Sequence, residues 1–303
     1  MELKVIVIMS TQAEIKQQVR EFYDQIGWQE VSAGLYQNAH YEDLRPVARD
    51  YIHRCHLRIN QHIEHGGKYL LDAGSGPIQY PEYLEYSRGY QYRVCADISA
   101  VALQEARSRI GDHGLFIVAD IANLPFKSDI FEGIVSLHTI HHLPEDEHLQ
   151  AYRELNRLLA PSSSAVIVNG WPSSTLMRFF NPLIRLSNRG KYYFARLSGR
   201  PIKPKGNNSQ QNKPRDRKAK GTFTSRHDYQ WVEGTVGELM PLEILVWRSV
   251  SVRFTRSLIH SWLAGRFWLW LLYSLEERFP YFFGKNGQYP LIVIQKGPLS
   301  RSR

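Results

Sequence analysis

Short apolar runs that close on an acidic residue recur through the middle of the chain. KYLLDAG (68–74), QYRVCADIS (91–99) and GLFIVADIANLPF (114–126) each hold one, closing on Asp72, Asp97 and Asp120. Gly133–Leu137 and SAVIVNG (164–170) add two more. Each predicts a strand, and helical periodicity falls between some of them. Ser99 is placed to cap a helix reaching Ile110. Leu149, Tyr152, Leu155 and Leu159 share one face of a helix predicted over Glu145–Leu159. Strands alternating with helices predict an α/β fold, a parallel sheet with helices on both faces.

The two ends differ from this middle. Upstream, Ile15, Val19, Phe22, Tyr23 and Ile26 line one face of a helix predicted over Gln12–Gly27, with Thr11 and Glu14 as its capping box. A second helix is predicted over about Pro46–Ile63. Downstream, Leu242–Val252 and Pro290–Gln295 predict two further strands, separated by a helix and a turn. There, nine of the 22 residues from Trp262 to Phe283 are aromatic. This cluster has two readings. It packs as core on the sheet or a neighbouring subunit, or it lines an apolar acceptor pocket or dips into a membrane interface.

Composition narrows the class. At 303 residues, 43% hydrophobic and 22% charged, the chain can bury a sizeable core, which excludes a disordered protein. Two cysteines, Cys55 and Cys95, are too few for a disulfide framework or a four-cysteine zinc site and suit a reducing compartment. The apolar run near the start covers only Val5–Met9, and no window has the roughly 18 apolar residues of a span. The expectation is a cytoplasmic protein, with contact to a membrane surface left open. The net charge is +9. Residues 200–221 carry eight basic residues against Asp216 alone, and hold most of that surplus. Rich in Pro, Gly, Asn and Gln, this stretch reads as a mobile solvated loop, with contact to anionic lipid, nucleic acid or an acidic substrate as the alternative. No aromatics interleave its charges, which disfavours stacking on single strands.

The candidate chemistry begins at Asp72-Ala73-Gly74-Ser75-Gly76-Pro77-Ile78. Glycines after a strand let the backbone turn tightly and approach a ligand, and open parallel sheets bind ligands at the carboxyl ends of their strands. Asp97, beside Ile98, ends the next strand and can accept two ribose hydroxyls. Asp120 and Ile121 end the third, where an acid can accept an adenine amino group beside an apolar contact. Three strand ends with this chemistry suggest an adenosine-shaped site. A nicotinamide-binding unit would want G-x-G-x-x-G, and Gln79 stands in place of its last glycine.

DAGSGP (72–77), ADIS (96–99), ADIANLPF (119–126), FEGIVSLHTIHHL (131–143) and the helix, turn and strand of ELNRLLAPSSSAVIVNGW (154–171) together resemble class I S-adenosylmethionine-dependent methyltransferases. The likeness is to their small-molecule branch, similar to the ubiquinone/menaquinone-biosynthesis type. One departure stands out, since Ile78 occupies the place of the third glycine of G-x-G-x-G. The resemblance implies a Rossmann-like, mostly parallel seven-stranded sheet with an antiparallel last strand. It implies S-adenosyl-L-methionine as cofactor, held by Asp72, Ala73, Gly74, Ser75, Gly76, Asp97, Ile98, Asp120, Ile121 and Leu137, with Asp72 near the methionine end. It also implies an N-terminal helical lid over 1–65 and a methyltransferase domain over 66–303, with insertions at about 171–241 and 253–289.

Methyl transfer is an in-line displacement, so the main task is to align the reactants in a desolvated pocket. His138 and His141 follow the fourth strand, whose end faces the methyl group in the family. Either could act as a base, or be structural. No [DNS]-P-P-[YF] element and no cysteine follow that strand, which argues against amino-directed methylation of adenine or glutamine and against covalent attack on cytosine. No metal-ligand spacing is present, so no metal is expected. The expected partner is a small-molecule or lipidic acceptor, with nucleic acid disfavoured. A non-catalytic binding protein on the same fold and a nucleic-acid methyltransferase are the competing readings.

Overall fold

The computed structural model describes residues 2–28, 30–32, 35–36, 42–197 and 222–297, with side chains for 12–28, 42–193 and 222–297. The basic stretch 200–221 lies outside the described residues, as does Tyr41, which the sequence places with Glu42 and Asp43 where a lid would form. Seven strands form one sheet: β1 (Gly67–Ala73), β2 (Tyr90–Asp97), β3 (Gly114–Val118), β4 (Phe131–Leu137), β5 (Leu159–Val168), β6 (Leu242–Arg248) and β7 (Tyr289–Gln295). Their order is β3-β2-β1-β4-β5-β7-β6. All run parallel except β7, which is antiparallel to β5 and β6. This is the class I methyltransferase sheet that the sequence implies. A two-stranded ribbon, 30–32 with 35–36, stands apart.

Period-two alternation along each strand sorts the apolar residues onto the two faces. Leu71, Ile134, Ala165, Ile167, Ile292 and Ile294 pack with Tyr152 and Leu155 of α4 (His148–Leu158). Their sequence neighbours Leu70, Val135, Val166, Val168, Leu291 and Val293 pack on the opposite face with Ile59, Tyr86 and Trp247. Ser99 caps α3 (Ala100–Ile110), accepting from the Ala102 amide, as its position predicts. A third cluster lies in an outer layer of helices: α2 (Arg49–Leu57), α5 (Thr175–Leu197), α6 (Val252–Leu258) and α7 (Gly265–Arg278). α8 (Pro280–Asn286) leads into β7.

Some boundaries move. α1 runs Glu2–Phe22 and passes unbroken through Thr11, so Thr11 and Glu14 are interior helix positions and no capping box. It ends in a wider turn, Tyr23–Gly27. β6 stops at Arg248 rather than Val252, because the Ser251 hydroxyl caps α6 by accepting from the Phe254 amide. β3 stops at Val118, and Asp120 stands in an isolated bridge to Asn123. The aromatic segment divides: Leu269 and Phe283 are buried, while Trp262, Phe267, Trp268, Trp270, Tyr281 and Phe282 are more than half exposed.

Candidate active site

The site starts where β1 ends. Gly74 (φ 79°) and Gly76 (φ 54°) lie in the left-handed region that favours glycine. A Cβ at Gly74 would stand 2.1 Å from Thr139 Cγ2, and one at Gly76 would stand 3.0 Å from the Trp28 ring. The Gly74 amide donates to the Ala96 carbonyl at 2.7 Å. The Gly76 amide donates to Asp97 Oδ2 at 2.9 Å, and the Ser99 amide donates to Asp97 Oδ1 at 2.8 Å. Loop and second strand are therefore locked together through one carboxylate. Ile78, in the place of the third glycine, takes φ 57°, in the same left-handed region as Gly74 and Gly76.

Asp97 is partly buried at the strand end. Burial raises its pKa to about 6, the two amide donors oppose that, and the charges of Asp72 and Asp24 add to it. Each of its oxygens retains acceptor capacity for a hydroxyl. Asp120 accepts from the Ala122 amide through Oδ1 at 3.0 Å, and its Oδ2 meets Lys16 Nζ of α1 at 2.5 Å. Lys16 also reaches Glu147, at 2.6 Å. Asp72 is buried against Arg93 Nε, 3.1 Å from its Oδ2. With Ile98, Ile121, Leu137 and Ser75, these residues line one end of a cavity of about 480 Å³. Ala73 lies beneath that lining, fully buried, its carbonyl accepting from the Ser136 hydroxyl at 2.8 Å. The donor set suits the expected cofactor: bare glycine backbone, a ribose-type carboxylate and apolar walls at the third strand end.

The other end of the cavity is aromatic. His138 has φ 56°, its amide donating to the Val168 carbonyl at 2.7 Å. Its ring meets Trp247 edge-on at 5.1 Å and Tyr289 at 5.7 Å. Burial, reinforced by the Arg248 charge, lowers its pKa to about 3. Burial also holds His141 well below the usual range, and its Nδ1 faces Asn169 Oδ1 at 3.4 Å. Both rings line the cavity as neutral imidazoles. His142 is committed elsewhere. Its Nδ1 donates to the Phe223 carbonyl at 2.9 Å, which leaves Nε2 to accept from the Tyr23 hydroxyl at 2.7 Å.

Sequence reasoning placed Glu42 where a lid would form but passed over Arg248, Tyr80 and Tyr83, which close this end with it. Arg248 is buried and pairs with Glu42, and its Nε has no hydrogen-bond partner among the described residues. Burial would raise the Glu42 carboxyl, but Arg248 and His56 bring it down to about 2. Tyr80 and Tyr83 line the same wall. An arginine closing the apolar strand Ile244–Trp247 was the available signal, since a charge continuing a buried strand needs a partner. Lys16 carried no such mark. Among the described residues, no group of three or more His, Cys, Asp or Glu could hold a metal ion.

Residues 71–167 match the family model described as a methyltransferase domain. A protein named Probable tRNA methyltransferase 9B, from Bos taurus, is 29% identical over 130 residues, 42% of this chain and 27% of its own length. Methyltransferase GfsG of Streptomyces halstedii is 30% identical over 108 residues, 34% of this chain and 38% of its own. The match thus spans well under half the length of either relative. A solved S-adenosylmethionine-dependent methyltransferase from Archaeoglobus fulgidus aligns with a TM-score of 0.48 at 13% identity, over 82% of this chain and 94% of that one. The matched stretch runs from the end of β1 into β5, with the glycine loop and the acidic strand ends, and it is a methyltransferase domain.

Proposed function

We propose that the protein transfers a methyl group from S-adenosyl-L-methionine to a small apolar or lipidic acceptor. One observation carries this reading: a single cavity of about 480 Å³ joins the glycine-loop end to the aromatic end. When bound, the cofactor supplies a methyl group on a positively charged sulfur, already activated toward a nucleophile. The chain's own residues do the rest. Gly74, Ser75 and Gly76 let the backbone approach it. Asp97 accepts the ribose hydroxyls, Asp120 and Ile121 meet the adenine, and the Asp72–Arg93 pair borders the methionine end. Residues 1–65 act as the lid, with Lys16, Val19, Tyr23 and Trp28 over the cavity. Trp247, Tyr289, Tyr80 and Tyr83 exclude water around the acceptor.

His138 and His141 are the residues proposed to touch the acceptor. Kept neutral by burial, each can accept a hydrogen bond from an acceptor hydroxyl and take its proton as the methyl is transferred. The main contribution is alignment. The bovine relative's name points to tRNA, and the basic stretch 200–221 has the charge for a nucleic acid. The aromatic lining favours a smaller, apolar acceptor.

Calorimetry with S-adenosylhomocysteine is the first test. We expect micromolar binding, weakened at least about tenfold, or about 1.4 kcal/mol, by Asp97→Ala. Labelled methyl transfer into quinones and lipids follows. His138→Ala and His141→Ala should each lower turnover about 100-fold or more if they act as bases, and losses under about threefold would remove these histidines from the chemistry. No binding by folded wild-type protein would favour the non-catalytic reading. RNA binding that falls steeply with salt would favour the nucleic-acid one.

A further inference from the structure

The outer helices leave an apolar face that nothing among the described residues covers. α5 is held by Met177 and Ile184, which pack in one cluster with α2, α6 and α7. One such stripe is enough to seat a helix. α5 carries a second. Phe179, Leu183, Leu186 and Tyr193 recur at i, i+4, i+7 and i+14, and they are 76%, 50%, 66% and 61% exposed. Arg178, Arg185 and Arg189 run beside them, and α5 has no acidic residue. α7 repeats the arrangement. Leu269 is buried in the same cluster, while Phe267, Trp268 and Trp270 are each 53% exposed. In the turn before it, Trp262 is 79% exposed.

The charge around this face has one sign. Arg253, Arg266, Arg278 and Lys285 are exposed on α6, α7 and α8. The acids of these helices are Glu276 and Glu277. Glu276 is buried and bonded to Tyr51, Arg58 and Ser249, and Glu277 is paired with Arg58.

We propose that this face docks on a lipid bilayer bearing anionic headgroups, with α5 and α7 lying in the plane of the interface. The charge complementarity is direct, since arginines flank the apolar stripe, α5 holds no acid, and both acids of α7 are paired with Arg58. Trp and Tyr rings settle at headgroup depth, and arginine side chains reach past apolar surface to the phosphates. No helix among the described residues is long and apolar enough to cross a membrane, which fits lying on it rather than spanning it. The docking stands on exposure and charge and does not depend on methyl transfer. The same helical layer is bonded to the aromatic end of the cavity, because Arg58 of the segment after α2 donates to the Trp247 carbonyl at 2.6 Å and pairs with Glu276 of α7.

Flotation of the full chain with phosphatidylcholine vesicles, with or without phosphatidylglycerol, tests this. We expect the protein to float with the mixed vesicles and about tenfold less with phosphatidylcholine alone. Trp262→Ser with Trp268→Ser and Trp270→Ser should cut binding about tenfold or more, and so should Phe179→Ser with Leu183→Ser and Leu186→Ser. Arg185→Glu with Arg189→Glu should lower binding to the anionic vesicles only. All these side chains are exposed, and unchanged circular dichroism would show the fold intact. Brominated lipid should quench tryptophan emission, and Trp262→Phe with Trp268→Phe and Trp270→Phe should remove that quenching while the protein still floats. Residues 200–221 are the control. With them replaced by a Gly/Ser linker, the chain should still bind and the serine substitutions should still weaken it. The proposal fails if the wild type stays soluble with both vesicles, or if the linker abolishes binding while the aromatic substitutions do not weaken it. It also fails if the aromatic face instead holds two copies together, shown by a dimer in sedimentation that those substitutions dissolve without any vesicle binding.

Discussion

At Asp97, cofactor binding and proton binding oppose each other. Burial raises its folded pKa from 3.8 to about 6. Ribose hydroxyls donate, so they favour the ionised carboxylate. Below about pH 6 the carboxyl must lose a proton before it can accept both, and affinity falls by up to about tenfold per pH unit. We expect the S-adenosylhomocysteine dissociation constant to be flat above about pH 6.5 and to rise below about 6, with Asp97→Asn weaker throughout and lacking that rise. Calorimetry across this range checks it, and a wild-type constant unchanged down to about pH 5 would remove Asp97 from the ribose. Ile78 shows another balance. A left-handed backbone costs a non-glycine residue about 1–2 kcal/mol. Full burial against Cys95, Leu103 and Ala106 returns about 1.5–3 kcal/mol. The two terms explain how the loop keeps its shape without the third glycine.

Between elements, the join that matters most is Glu42 to Arg248. It ties the segment before α2 to the end of β6 at the aromatic end of the cavity. Both partners are buried, and removing one strands the other charge at about 3–5 kcal/mol. We expect Glu42→Gln to lower unfolding free energy by about that much, and Glu42→Gln with Arg248→Met to recover most of it. Urea denaturation measures both, and a double variant no more stable than the single one would show that the pair is not the source. This join also marks where the sequence stopped being legible. β1 to β5, the acids at the ends of β1 to β3 and the glycine loop follow from local pattern, because each strand is a short apolar run and the first three close on an acid. Pairing across 206 residues, as between Glu42 and Arg248, leaves no local trace. The cap expected at Thr11 failed because a local Thr-x-x-Glu pattern does not say that helix also precedes it. The aromatic segment could not be assigned because composition does not say which side of a helix faces water, and α7 turns Leu269 inward and Trp270 outward.

Across the whole molecule, buried imidazoles set the response to acid. His138, His141 and His142 cluster after β4, and burial depresses all three, to about 3 for His138 and about 4 for His142. In the unfolded chain each takes a proton near its model value of 6.5. Below that pH the unfolded state therefore binds more protons than the folded one, and stability falls as pH drops, by up to about 1.4 kcal/mol per unit for each histidine. Asp97 works the other way between 3.8 and about 6, where the folded state holds a proton that the unfolded chain has released, and it offsets about one histidine. Glu42 and Glu82, both lowered to about 2, add a second stage of loss below their ordinary 4.5. We therefore expect the urea midpoint to be level near neutral pH, to decline from about pH 6.5, and to decline more steeply below about 4.5. His142→Gln should flatten the first stage by about one proton, because its ring is fixed by Tyr23 and Phe223 and lies outside the proposed acceptor contacts. A midpoint constant from about pH 7.5 to about 5 would mean that these imidazoles titrate as exposed groups, and the enclosed pocket end they define would then be open to water.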